Sequence, residues 1–280
     1  VEVHPEVIYA LLFETVWATL SAFAANRLAG QLGMTAVLHT WGQTLTRHVH
    51  LHCLVPGGAR QGDGAWKSAG TRGLFPVRAL SRHVRGGFVS RLRKAHEAGQ
   101  LNRLCGPAEC KRVLDALMAR EWVVFSRPCL TRSETIIDDL GRYSHRIALS
   151  DHRLSDFDGQ RLTLAYKDYR DGRRKRMRLA AGELIRRFLL HVLPKGFMRV
   201  RHFGFLANRC RARRLPEIRA AIGAQDQMSA GGEPGEGAAA PNEPRCPNCA
   251  QGTLRHRADI PARRLPRPKP KPGFARLDGH

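Results

Sequence analysis

The sequence has few acidic residues, no long apolar run and no regular spacing of cysteines. Its 280 residues include 24 Asp and Glu against 47 Lys and Arg, a formal net charge of +23. Such an excess of one sign opposes compaction unless a polyanion offsets it, so nucleic acid is the expected partner. Without an uninterrupted apolar segment or a signal peptide, we expect a cytoplasmic chain with no membrane partner. Seven cysteines without a framework of spacings favour a reducing compartment and argue against disulfides.

The composition divides the chain into three parts. Residues 1–222 hold most of the apolar residues and predict one folded domain. Residues 223–244 are rich in Gly, Ala, Pro and Glu and predict a flexible linker, and residues 245–280 form a basic, Pro-rich tail. Cys246 and Cys249 have the spacing of half a zinc ribbon, but only His256 and His280 follow as further ligands. A Zn²⁺ site in this tail and a solvated tail are both open interpretations.

One stretch in the first part combines strand periodicity with histidine. His48, His50 and His52 alternate with Val49, Leu51 and Cys53, so a strand would place three imidazoles on one face and apolar groups on the other. Neutral imidazole is the commonest metal-binding side chain, and alternate strand residues can reach one ion. The pattern therefore favours a metal site over a surface strand whose histidines face water.

The remaining periodicity predicts an α+β fold. We expect a mainly antiparallel sheet of about five strands, with the histidine strand central and helices on the faces. The predicted helices are 6–28, 80–98 (with a weak point at the glycine pair 86–87), 107–120, a short helix that starts near 131 and ends near Tyr143, 183–193 and 206–222. The predicted strands are 35–41, the histidine strand, 121–126, 147–150, the hairpin 161–166 with 175–179, and 197–203. Strand 35–41 should pair antiparallel with the histidine strand across a short polar connection, which would place His39, Gln43 and Trp41 near the histidine face or its rim.

Several segments, taken in order, resemble one protein family. The segments are 36–45 leading into the histidine strand, 54–58, 121–124, 140–146, 166–171, 191–197 and 201–202. The first includes the His-hydrophobic-His motif of the HUH endonucleases, and together they resemble the two-tyrosine rolling-circle transposases of the insertion sequence 91-like family. The resemblance covers about residues 5–220.

The resemblance implies an HUH-like fold, a reaction and a set of site residues. Tyr143 would attack single-stranded DNA at transposon ends, giving a 5′-phosphotyrosine and a free 3′-hydroxyl for rejoining. His50 and His52 would hold a divalent metal, Mg²⁺ or Mn²⁺. The third ligand is left open among Gln43, His145 and His48, in that order of preference.

The resemblance and the basic composition also indicate DNA contacts. A bacterial, nucleoid-associated location follows, and the oligomeric state stays open, a homo-oligomer included. The residues assigned to DNA binding are Arg142, Arg146, Lys167, Arg170, Arg173, Lys175, Lys195 and Arg201.

Three features depart from the family pattern. Asp139 stands where the family has its first tyrosine, Val49 replaces a proline, and no cysteine-rich zinc module precedes His4. The chain begins at Val1, so we expect a fragment, a processed form or a shortened copy. A catalytically impaired DNA-binding remnant is therefore the alternative function. An RNA-binding basic protein fits the charge but leaves the histidine row unexplained.

Overall fold

The structure, a computed structural model, describes residues 1, 3–70, 74–103, 106–126 and 148–229. These residues lie within one compact unit, Val1–Ala230. Its helices are α1 (Pro5–Leu28), α2 (Val77–Glu97), α3 (Gly106–Ala119), α4 (Ala181–Leu189) and α5 (Arg211–Ser229). Its strands are β1 (Gly33–Trp41), β2 (Arg47–Leu54), β3 (Gly58–Arg60), β4 (Trp66–Ser68), β5 (Leu154–Ser155), β6 (Arg161–Lys167), β7 (Arg174–Ala180) and β8 (Val200–Gly204).

The principal sheet has the strand order β2-β1-β8, and both pairings are antiparallel. One face of this sheet is apolar and packs on α1. Met34, Ala36 and Leu38 of β1 are completely buried there beside Phe13 and Ala24 of the helix. Because side chains alternate along a strand, the histidines of β2 lie on the opposite face.

Helix α1 is buried from two sides. One side covers the sheet, and the other contacts a second cluster in which Phe88 and Leu92 of α2 pack with Ile8 and Leu11. A helix that packs on two sides carries apolar residues on more than one face. The apolar residues of α1 therefore do not form the single stripe of an ordinary amphipathic helix. By length and composition α1 also passes for a membrane span, contrary to the expectation that the chain has no long apolar segment. In the structure its apolar residues contact both the sheet and α2.

A second small sheet, β5-β6-β7, packs against the turn between β1 and β2. Leu162 and Leu164 of β6 form a third buried cluster with Leu45 of the turn and Leu184 of α4. The side chains of Gln43 and Arg187 add hydrogen bonds across this junction. The turn that leads into the histidine strand is therefore fixed by the hairpin and α4.

The α+β class with antiparallel sheets is confirmed. The described residues nevertheless form sheets of three, two and three strands rather than one of about five, and among them β2 lies at an edge rather than in the centre. The strand predicted at 121–126 is wrong, because these residues pair with no described strand and expose Val123 and Phe125 almost fully. Their β-branched and aromatic content was a weak signal without a partner strand.

Several element boundaries in the structure differ from the predicted ones. Helix α2 continues through Gly86 and Gly87, because the close approach of α1 at Thr15 favours a residue without a side chain at Gly87. Helix α4 ends at Leu189, four residues earlier than predicted, and α5 continues to Ser229, past the predicted start of the linker. The predicted strand at 147–150 begins outside the described residues, and its residues 148–150 are not a strand.

Candidate metal centre

The pairing of β1 with β2 brings a third histidine to the predicted pair. In the antiparallel register His39 lies opposite His50, and Val37 lies opposite His52. Facing residues of an antiparallel pair have side chains on the same face. His39 is therefore a neighbour of both histidines, although it comes from another strand.

The ligand atoms of His39, His50 and His52 all lie within 4.8 Å of one another. The Nε2 atoms of His50 and His52 are 3.0 Å apart. His39 is only 4% exposed, whereas the other two are partly open. The site is thus closed on the β1 side and accessible on the β2 side.

Local hydrogen bonding orients the imidazole of His50. Its Nδ1–H donates to the backbone carbonyl of His48 over 2.9 Å, which leaves the Nε2 lone pair directed toward the cluster. Burial lowers the pKa of His50, although the hydrogen bond to the His48 carbonyl acts in the opposite direction. A neutral imidazole with a free Nε2 is the form that binds a metal.

A second set of side chains supports His39. The Trp41 ring stacks on His39 with centroids 4.8 Å apart and an angle of 18°. The edge of Trp41 meets His191, a buried side chain whose Nε2 is 3.0 Å from the Leu45 carbonyl and whose Nδ1 is 3.3 Å from the Thr40 hydroxyl. Burial lowers the pKa of His191, which favours its neutral form. The buried imidazole thus connects the start and the end of the β1–β2 turn.

These residues fit a divalent metal. Two nitrogens bound at right angles to one ion, each about 2.1 Å from it, would be about 3.0 Å apart, as the Nε2 atoms of His50 and His52 are. The cluster presents three imidazole nitrogens, and it is accessible from the β2 side, where His50 and His52 are partly exposed. Imidazole nitrogen is a common ligand of divalent metals, and the accessible side leaves room for further ligands.

The sequence-ranked third ligands lie elsewhere or outside the described residues. Gln43 bonds the hydroxyl of Tyr169 over 3.0 Å and the backbone N–H of Lys167 over 3.4 Å, so its amide is used in docking the hairpin. His48 lies beside His50 with ring centroids 4.7 Å apart, at the exposed end of the row. His145 lies outside the described residues, as does the proposed nucleophile Tyr143.

His39 is the residue that the sequence analysis undervalued. It was expected near the histidine face or its rim because strands 35–41 and 47–54 should pair. Its place in the cluster depends on the exact register, which shifts between His39 and Trp41. The sequence did contain a signal for this third ligand: a histidine in the preceding strand, which a short hairpin connects to the histidine strand.

The residues predicted to bind DNA fall into different environments. Lys167, Arg170, Arg173 and Lys195 are exposed. Lys175 instead lies between Asp168 and Asp171, with Nζ to oxygen distances of 2.7 and 2.8 Å. Arg201 lies on the apolar face of the sheet, over the rings of Phe13 and Phe197. Arg142, Arg146, Cys246 and Cys249 lie outside the described residues.

Comparison with known proteins gives the family. The family model described as "Putative transposase" matches residues 33–214. "Putative transposase y4qJ" of Sinorhizobium fredii is 44% identical over 227 residues, covering 78% of this chain and 57% of that protein. "Transposase for insertion sequence element IS801" of Pseudomonas savastanoi pv. phaseolicola is 26% identical over 236 residues, covering 78% of this chain and 56% of that protein.

The chain thus spans little more than half the length of the curated relatives it matches. No solved structure matches it significantly. The matched residues include β1, the whole histidine strand and the β6–β7 hairpin, so the family match contains all three histidines of the cluster. As the resemblance to insertion-sequence transposases predicts, the chain belongs to this transposase family.

Proposed function

We propose that this chain nicks and rejoins single-stranded DNA at transposon ends, with Tyr143 as the nucleophile and His39, His50 and His52 as the metal ligands. The observation that supports the proposal most directly is the cluster of three imidazoles within 4.8 Å. The family assignment supports a DNA-processing role for it. The net charge of +23 supports a polyanionic substrate.

The proposed reaction exchanges one phosphoester for another. The phenolic oxygen of Tyr143 loses its proton and forms a bond to phosphorus, while the bond from phosphorus to the 3′-oxygen breaks and that oxygen takes up a proton. The 5′-phosphotyrosine keeps the energy of the original bond, so the reverse attack by a 3′-hydroxyl rejoins the strand without a further energy source. A bound divalent ion would polarise the phosphate and neutralise charge on its non-bridging oxygens.

The chain's own residues prepare this site in two ways. Burial favours the neutral form of His50, and the hydrogen bond to the His48 carbonyl holds its imidazole in one orientation. Stacking on Trp41 and burial hold His39 in place, so little ordering is needed when a ligand binds. Such preorganisation is the usual contribution of a protein to a metal-assisted reaction.

The alternative function is a DNA-binding remnant without catalysis. Asp139 favours it, because the sequence offers only Tyr143 in the segment that resembles the family's pair of tyrosines. With one tyrosine we expect a single nick followed by rejoining at the same site. Full transposition needs two DNA ends to be held, which one nucleophile does not provide.

The test is a denaturing gel of the chain incubated with end-labelled single-stranded DNA from the element's ends and Mn²⁺. A covalent adduct that is absent with Tyr143→Phe and absent in EDTA is expected. His50→Ala combined with His52→Ala should abolish the adduct while single-stranded DNA binding is retained.

Two results would contradict the proposal. One is DNA binding without any adduct, which would favour the remnant and make Asp139→Tyr the next variant to test. The other is an adduct that survives in Tyr143→Phe, which would assign the nucleophile to another residue.

A further inference from the structure

The outward face of the β6–β7 hairpin carries three exposed cations that form no ion pair with any described residue. Lys167 and Arg174 face one another across the two strands, and Arg176 follows Arg174 on the same face. All three are exposed, and among the described residues neither arginine forms an ion pair or a side-chain hydrogen bond. We call Lys167, Arg174 and Arg176 the basic face.

The opposite face of the hairpin has a different chemistry. Met177 and Leu179 alternate with the arginines and pack into the cluster around Leu164 and Leu184. Lys175 also points to this side, where Asp168 and Asp171 neutralise its charge. Hydrogen bonds from Lys175 lower the pKa of both aspartates. Lys175 is therefore held by two aspartates, whereas Lys167, Arg174 and Arg176 form no ion pair within the described part of the chain.

The far end of the arginine row has its own counter-charge. Arg178 bonds Asp158 over 2.6 Å, and Asp156 lies near Arg176 and Arg178. An anionic ligand would therefore meet net positive charge at Lys167, Arg174 and Arg176 and near-neutral charge beyond them. Like charges directly across a sheet destabilise it, so the pair Lys167 and Arg174 favours an anion above it.

An exposed aromatic ring stands next to the basic face. Tyr169 is 71% exposed, while its hydroxyl accepts a hydrogen bond from Gln43 over 3.0 Å. The ring is therefore held at its polar end and largely exposed, with the Nζ of Lys167 over it, 6.0 Å from its centroid. Cations beside a free ring are the combination that binds a single strand, because only an unpaired base can stack.

We propose that Lys167, Arg174 and Arg176 bind successive phosphates of single-stranded DNA, while Tyr169 stacks on a base. Arg174 and Arg176 alternate along β7 and are about 6.7 Å apart, which is comparable with the separation of successive phosphates along a nucleic-acid strand. Lys167 lies directly across from Arg174 on β6. Gln43 joins this surface to the turn that begins the histidine strand. The inference rests on the proposed function, since it states how that substrate is held.

The test is a binding titration in EDTA, which separates it from catalysis. The chain is titrated into a labelled single-stranded oligonucleotide at several salt concentrations, and fluorescence anisotropy gives the dissociation constant. Arg174→Gln combined with Arg176→Gln should weaken binding about 20-fold at about 0.1 M salt and reduce the salt slope by about 1.4, the value for two phosphate contacts. Thermal unfolding of each variant checks that the fold is retained.

Matched variants make the result specific. Arg103→Gln combined with Arg112→Gln removes the same charge from exposed positions near and on α3 and should weaken binding only slightly. Tyr169→Leu should weaken single-strand binding at least about fivefold with little effect on a duplex. Tyr169→Phe, which keeps the ring, should retain most of the single-strand binding.

An equal loss in the α3 and hairpin variants would overturn the proposal, since the effect would then be one of total charge. Loss of duplex binding in equal measure with Tyr169→Leu would overturn the stacking and point to duplex DNA as the ligand. A chain that forms no covalent adduct yet loses affinity through Arg174 and Arg176 would refute the proposed reaction and leave this surface supported.

Discussion

His39 is the most enclosed of the three clustered imidazoles, and its position is fixed before any ligand arrives. Stacking on Trp41 and 4% exposure leave it little freedom. Replacing it by Ala should lower Mn²⁺ affinity at least about 10- to 100-fold, the range found even for groups one shell outside a metal. Isothermal titration calorimetry of the DNA-free chain measures this directly.

His48 offers the matched control for that experiment. It lies in the same row but at its exposed end, and its backbone carbonyl rather than its ring orients His50. His48→Ala should leave Mn²⁺ affinity within about threefold of the original, because the carbonyl is retained. A larger loss with His48→Ala than with His39→Ala would assign the third ligand to His48.

His191 makes stability depend on pH in a predictable direction. Burial lowers its pKa below the ordinary value of 6.5, so on acidification the unfolded chain takes up the proton first. The stabilisation of the fold by neutral His191 is therefore complete above about pH 6.5, the pKa in the unfolded chain, and is lost as the pH falls toward the lowered pKa in the fold. His191→Leu should cost about 1–3 kcal/mol at about pH 7.5, because the Leu45 carbonyl loses its buried donor.

The same variant isolates this group from the other histidines. His50 and His202 also have lowered pKa values, but both are present in wild type and variant, so their effects cancel in the difference. The difference in unfolding free energy, from urea titrations, should narrow as the pH falls from about 7.5 to about 5.5. A difference that widens on acidification would mean that His191 is charged in the fold.

How far the site could be predicted depends on which contacts are local. The alternation of His48, His50 and His52 fixes a common face, since period two is a property of the strand itself. The addition of His39 depends on the register between two strands, and a slip of one residue would turn it to the other face. The docking of Gln43 on Tyr169 joins positions 126 residues apart, which local pattern cannot indicate.

At the scale of the element, α2 contains two adjacent glycines with different surroundings. A methyl group at Gly86 would meet nothing within 4 Å, whereas one at Gly87 would lie 3.2 Å from the Cγ2 atom of Thr15. Thr15 is completely buried and bonds the Leu11 carbonyl, so it cannot easily yield. Gly86→Ala should therefore raise the unfolding free energy by about 0.5–1 kcal/mol through helix propensity.

Gly87→Ala is the matched variant, and it should be about 1 kcal/mol less stable than Gly86→Ala. Its gain in helix propensity is offset because the added methyl group overpacks against α1. Urea unfolding of both proteins under the same conditions gives the comparison. Equal stabilisation by the two substitutions would show that α1 and α2 separate readily, and would contradict the close packing at Thr15.

Elements with strong internal periodicity were predicted well. The helices α1, α2 and α3, the pairing of β1 with β2, and the β6–β7 hairpin follow from apolar spacing and turn residues. The edge position of β2 was missed because strand order depends on β8, about 150 residues later in the chain. The failed strand at 121–126 shows the same limit, since its composition favoured a strand but no described strand pairs with it.

At the scale of the whole molecule, the net positive charge is the main electrostatic influence on the stability of the fold. An excess of 23 positive charges repels itself, and the folded state concentrates those charges more than the unfolded chain does. Ion pairs such as Lys175 with its two aspartates offset this locally but use few of the 47 basic residues. The fold therefore carries a repulsive term that either salt or a polyanion would reduce.

This repulsion gives the last prediction. Salt shortens the range of repulsion, with a Debye length near 30 Å at about 0.01 M and about 8 Å at about 0.15 M, so the melting temperature of the DNA-free chain should rise across this interval. Single-stranded DNA at low salt should raise it further, because a ligand that prefers the folded state stabilises it. Differential scanning fluorimetry measures both effects. A melting temperature that falls with added salt would mean that the attraction within ion pairs outweighs the repulsion from the net charge. The DNA-free fold would then need no polyanion to reduce that repulsion.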